Sequence, residues 1–173
     1  MKKHVRLYNL IFPPYMLIAL VPWLALIALV GNFLIDSAVM LVISRIVFGS
    51  FNRRFYKYNI WKVWGFGFLS DICGAAFLFI GFIIGNHTVS KSGLWYRIVD
   101  GWLGASYLDG HNAYSYVFAA IAIIISAAVI FLLDRFVAFK YADLTKKQKT
   151  LSALAIAVVT APYTFLLPYN LFY

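Results

Sequence analysis

Long apolar runs separated by short basic stretches set the pattern of this chain. A helix needs about 20 predominantly apolar residues to cross roughly 30 Å of hydrocarbon. Between Leu7 and Ile35 no residue is charged. Proline is tolerated in the opening turn of a helix, so Pro14 is read as the start of a first span over 14–30, bent near Pro22. Gly31-Asn32 is a turn signal, and a second apolar run covers 33–48. Further apolar runs predict spans over 63–84, 113–133 and 151–168. The fold expected is an all-α integral membrane protein. It is a five-helix transmembrane bundle forming one domain over 1–173.

The connection over 86–112 carries a pattern of its own. Trp95, Ile98, Val99, Trp102 and Leu103 recur at helical spacing, with Arg97, Asp100 and Gly104 largely elsewhere around the wheel. That pattern predicts a short amphipathic helix in the outer interface. A lid over an outward-facing cavity is the functional alternative.

Composition supports the bilayer as solvent. The chain is 64% hydrophobic and 12% charged, against roughly 45–50% apolar and about 25% charged in soluble domains. Its mean hydropathy is +0.84. Soluble enzymes, disordered tails and disulfide scaffolds are excluded on that ground. Cys73 is the only cysteine and has no partner for an internal disulfide. The opening basic residues and apolar run resemble a signal peptide, but the run exceeds the roughly 7–15 residue core of one. A retained helix is the expectation.

Charge then gives sidedness. Lys2, Lys3 and Arg6 precede the first span. Arg53, Arg54, Lys57 and Lys62 lie between the second and third, and Arg135, Lys140, Lys146, Lys147 and Lys149 between the fourth and fifth. The long opposite connection holds only Lys91 and Arg97. The bias places the N-terminus in the cytoplasm and the C-terminus outside a cell membrane. The net charge of +9 is therefore matched to anionic lipid headgroups at the inner face rather than to nucleic acid. Tyr56, Tyr58, Trp61, Trp64, Tyr114 and Tyr116 fall at span ends, where amphipathic rings anchor a helix.

Small residues mark packing faces. Gly67, Gly74, Gly81 and Gly85 share one side of the third span with Asp71, and Ala153, Ala157 and Ala161 one side of the fifth. Such stripes let membrane helices approach closely.

Ionisable residues at membrane depth are the functional candidates, because a charge at the bilayer centre costs about 2.5–3.5 kcal/mol even on the lenient insertion scale. Asp71 stands roughly 13 Å above Lys62 at about 1.5 Å per residue, near the midplane. Arg45 lies about 7 Å above the inner end of its span. An Arg45–Asp71 pair is expected, with Arg135 the rival partner for Asp71. Such a pair serves either as a salt bridge fixing helix register or as a proton- or cation-coupled site. Asp36 is placed within a turn of the outer surface. Asp134 and Arg135 are placed at the inner boundary, reaching headgroups by snorkelling.

Other chemistry is sparse. His87, His111, Asp100 and Asp109 lie on the outer connection, but their spacing matches no short ligand motif, so no metal is assigned. Asn86-His87-Thr88 fits a glycosylation sequon, relevant only in a eukaryotic source. No P-loop, H-E-x-x-H, G-x-S-x-G or C-x-x-C pattern occurs. Neither catalysis nor a cofactor is expected. Two functions follow: transport or pore formation along Asp71, Arg45 and Asp36, in an oligomer, or a non-catalytic membrane subunit whose small-residue faces dock a partner protein.

Overall fold

The computed structural model describes residues 22–87, 93–105 and 112–166, apart from the side chains of 22–25, 28 and 86. All regular structure among these residues is helical. In chain order the helices are α1 (Pro22–Phe48), α2 (Arg53–His87), α3 (Leu94–Gly104), α4 (Ala113–Leu133) and α5 (Lys146–Val159). A single π turn, Asp134–Ala138, extends α4, and a 3₁₀ turn, Tyr163–Leu166, follows α5.

Among the described residues four stretches are long and apolar enough to cross a membrane: Leu29–Phe48, Arg53–Gly85, Ala113–Ala138 and Lys146–Leu166. The expected boundary between a first and a second span at Gly31-Asn32 is corrected, since α1 runs on there without a turn. Asn32 directs its side-chain amide to Asp71 on α2, so a partner on another helix overrides the local turn preference. The remainder of the first expected span, 14–21, and the expected cytoplasmic N-terminus lie outside the described residues.

Two more boundaries move for local reasons. α1 ends at Gly49, whose φ of 71° needs the left-handed region that glycine occupies freely. Asn52 then caps α2: its Oδ1 accepts from the backbone N–H of Arg54 and Phe55 at 3.1 and 3.0 Å. Its own N–H donates to Ser44 Oγ at 2.8 Å. The basic stretch Arg53–Lys62, expected as a loop, is therefore the first turns of α2. Thr145 and Gln148 form a capping box that starts α5 before the expected position. The α-helical ladder stops at Val159, ahead of Pro162, which cannot donate to it.

The helices pack antiparallel in sequence order. Tyr56 Oη donates to Ser37 Oγ at 2.9 Å, and Trp64 Nε1 to the Leu29 carbonyl at 3.2 Å, which seats α1 on α2. Trp64 thus clasps a helix instead of anchoring in headgroups, while Trp61 is exposed. Ser126 Oγ donates to the Ser70 carbonyl at 3.0 Å, and Phe139 stacks on Phe55 with ring centroids 5.8 Å apart. These contacts fix the register of α4 against α2. One apolar cluster, built around Met40, Ile60, Val63, Ile130, Phe139 and Ile156, fills the end near the basic connections. A second, around Leu78, Ala122, Ile123, Ala161 and Phe165, fills the other.

The expected amphipathic helix forms as α3, but it docks on the bundle. Trp102 donates its indole N–H to the Phe77 carbonyl at 3.2 Å and stacks on Phe118 at 5.3 Å. Its ring occupies the space that a Cβ on Gly81 would fill, and Leu103 packs over Gly85. Asn112 donates to the Arg97 carbonyl and to Asp100, closing the turn into α4. Trp102→Ala removes an aromatic ring from the docked face and its hydrogen bond to the Phe77 carbonyl at once. A loss of about 3 kcal/mol is expected, read as a lower unfolding midpoint together with protease cleavage within 93–105.

Candidate functional site

Elementary helix geometry decides which side chains meet inside the bundle. On α1, Asn32, Asp36 and Met40 follow one another at intervals of four and share a face. Asp36 is 3% exposed and Met40 fully buried. On α4 the buried face runs through Ser115, Ala119, Ala122, Ser126 and Ile130, and one further turn brings it to Asp134. On α2, Gly67, Ser70, Asp71 and Gly74 form the facing surface. Three helices thereby direct three aspartates into one interior.

The contacts order them. A Cβ on Gly67 would lie 3.7 Å from Asp36 Oδ2, so the Asp36 carboxyl sits against α2 at that level. Asp71 stands one turn further from the basic end and receives Asn32 Nδ2 at a long 3.5 Å. The register set by Ser126 on Ser70 and Phe139 on Phe55 brings Asp134 level with about Trp61. Along the axis the sequence is Asp134, Asp36, Asp71, with steps of about 9 and 6 Å at the backbone. Helical side chains lean toward their own N-terminus. Asp36 and Asp134 therefore lean away from the basic end and Asp71 toward it, which draws the Asp36 and Asp71 carboxyls together and leaves the step from Asp134 to Asp36 as it is at the backbone. Asp36 acts electrostatically on both Asp71 and Asp134.

Compensation for these carboxyls is scant. Asp134 is fully buried, and neither of its oxygens has a hydrogen-bond partner. Asp71 Oδ1 is buried and equally without one. Arg45 does not supply the expected pair. It occupies the last turn of α1, exposed, two turns below Asp36 on the basic side. Removing the turn at Gly31-Asn32 shifts only the outer part of α1: the helix still ends at Phe48, and Arg45, three residues from that end on an exposed face, stays well below the level of Asp71. Arg135, the rival, donates Nε to Thr150 Oγ1 at 2.7 Å. The same shift takes Asp36 from the expected outer surface into the interior. Asp134 is not a snorkelling residue but a core one.

The small-residue faces are occupied within the chain. At Gly74 a Cβ would collide with Ser126 Oγ and stand 3.1 Å from the Ala122 carbonyl oxygen. Ala153 is fully buried, and Ala157 and Ala161 nearly so. Gly81 and Gly85 receive α3 as described. Of the outer polar residues, His87 is exposed, and His111 and Asp109 lie outside the described residues. Among the described residues no three His, Cys, Asp or Glu side chains stand close enough to share a metal ion.

Sequence reasoning missed Asn32 and Asp134. The signal for both was present in the four-residue spacing that puts Asn32 with Asp36 and Asp134 with Ser126 and Ile130. No family model matches the chain, and no curated protein or solved structure is similar to it.

Proposed function

We propose that this chain is a multi-pass protein of the cell membrane that moves a small cation through its helix bundle. The observation that carries the reading is the file of Asp134, Asp36 and Asp71, contributed by three helices and left without a basic partner among the described residues. A carboxyl group inside a membrane-spanning bundle is costly, and one kept only for helix register would be paired. Carboxylates lining a path favour cations over anions. Docking of a partner through small residues is disfavoured, since the glycine and alanine faces are covered by the chain itself.

Orientation follows from charge. Arg53, Arg54, Lys57, Lys62 and the basic residues from Arg135 to Lys149 share one end of the bundle, with Arg45. That end faces the cytoplasm and its anionic headgroups. α5 then runs from the cytoplasmic to the outer side.

Purified protein in liposomes loaded with reporters for H⁺, Na⁺ and K⁺ tests the reading. Wild type is expected to pass at least one of these ions above protein-free vesicles, with the flux lost in Asp71→Asn. Arg45→Gln should leave it unchanged, because Arg45 stands outside the file. Absence of flux for all three ions, or flux indifferent to Asp71→Asn, overturns it.

A further inference from the structure

Resting on the transport reading, we infer that the cargo is a proton, handed along the file Asp134, Asp36, Asp71, with Asp36 as the relay between the other two. Two observations separate a proton from a metal cation. The carboxyls are stacked at successive levels rather than gathered around one point, and no three acidic groups among the described residues converge. Calcium collects about 6–8 oxygens at roughly 2.3–2.6 Å. A proton needs only two oxygens at a time, in direct hydrogen-bond reach or through one water.

The second observation is the state of Asp134. It comes from a third helix, is fully buried on the face that continues Ser126 and Ile130 inward, and has two oxygens without a hydrogen-bond partner among the described residues. Buried polar atoms are almost always bonded, and an exception calls for a functional reason. Two free oxygens suit a group that alternately accepts and releases an O–H bond. The neighbouring basic side chains are engaged elsewhere: Arg135 with Thr150, Lys149 with the Lys140 carbonyl.

The steps balance without a co-reactant. A proton from water at the basic end bonds to an Asp134 carboxylate oxygen. That O–H bond breaks as the proton passes to a carboxylate oxygen of Asp36, leaving Asp134 ionised. The same exchange carries it from Asp36 to Asp71, which releases it to water at the opposite end, so that one hydronium ion becomes water at the basic end and one is formed at the other. Each internal exchange conserves the charge of the file, and no electron moves.

The test uses the full chain in liposomes under a potassium diffusion potential, with a pH-sensitive dye inside and Na⁺ and K⁺ reporters in parallel vesicles. Wild type is expected to show potential-driven proton flux without Na⁺ flux. Asp36→Asn and Asp134→Asn should fall to the protein-free rate, and Asp36→Glu should recover part of it. Infrared difference spectra of wild type across a pH step should show a carboxylic-acid band, altered in each aspartate variant that folds. Asp36-dependent Na⁺ or K⁺ flux without proton flux overturns the proton assignment and leaves cation transport standing. No flux of any ion overturns both. Absence of a pH-dependent carboxyl band in wild type overturns the relay even where a variant fails to fold.

Discussion

Asp134→Val is expected to raise the unfolding temperature of the purified protein and to abolish its ion flux. Valine is the branched apolar residue closest to aspartate in size, so overpacking at this fully buried position stays small. What it removes is a fully buried carboxyl whose two oxygens have no hydrogen-bond partner among the described residues. An unsatisfied buried polar group costs about 1–3 kcal/mol, and a gain of that order is a rise of several degrees for a chain of this length. Opposite signs on stability and activity mark a residue kept for function against the interest of the fold. Thermal unfolding in detergent reads the first sign and the liposome assay the second. A variant that loses stability would show that Asp134 is a structural group, and the cost argument would fall.

The second large effect lies at Gly74. α2 and α4 approach so closely there that a Cβ would meet Ser126 Oγ, Phe165 Cε2 at 2.7 Å and the Ala122 carbonyl oxygen. The serine hydroxyl can turn away, but the carbonyl is backbone and moves only with its helix. Gly74→Ala should cost about 1–3 kcal/mol through overpacking, and Gly74→Leu should prevent assembly of the monomeric bundle. Gly65 is the control: a Cβ there meets nothing within 4 Å. Gly65→Ala is expected to be neutral or to add up to about 1 kcal/mol from helix propensity. Unfolding midpoints of the two alanine variants compare the sites directly. Equal midpoints would mean that the α2–α4 crossing is looser than its geometry states.

The same crossing ties the fold to the site. Ser126 on Ser70 and Ala122 against Gly74 set the register that brings Asp134 up to the level of Asp36. Spreading α4 from α2 should therefore weaken ion flux as well as stability, although Gly74 itself touches none of the carboxyls.

How much of this could be read without coordinates differs by element. The apolar run over 113–133 gave α4 to its ends, because hydropathy alone identifies a helix with no competing signal inside it. The α3 pattern identified a helix, yet not its docking: Trp102 could as well have faced headgroups as Gly81. Asp71 was recognisable as a costly residue, but its neighbours were assigned from a turn at Gly31-Asn32 that does not form. That one boundary displaced Asp36 outward, while the exposed face and the helix-end position of Arg45, which rule out the expected pair with Asp71, are features of the packing.

By itself, the sequence determined the helical class, the apolar stretches long enough to cross a membrane and the grouping of basic residues between them. Each is a sum over many residues, and transfer free energies add whatever the neighbours are. Only the tertiary structure decided that α1 is continuous, that Asp134 is interior, and that three carboxyls from α1, α2 and α4 share one file with no cation beside them among the described residues. Those are matters of register between helices distant in the chain. Register is set by a few close contacts, Asn32 on Asp71 and Ser126 on Ser70 among them, which no local pattern of residues encodes.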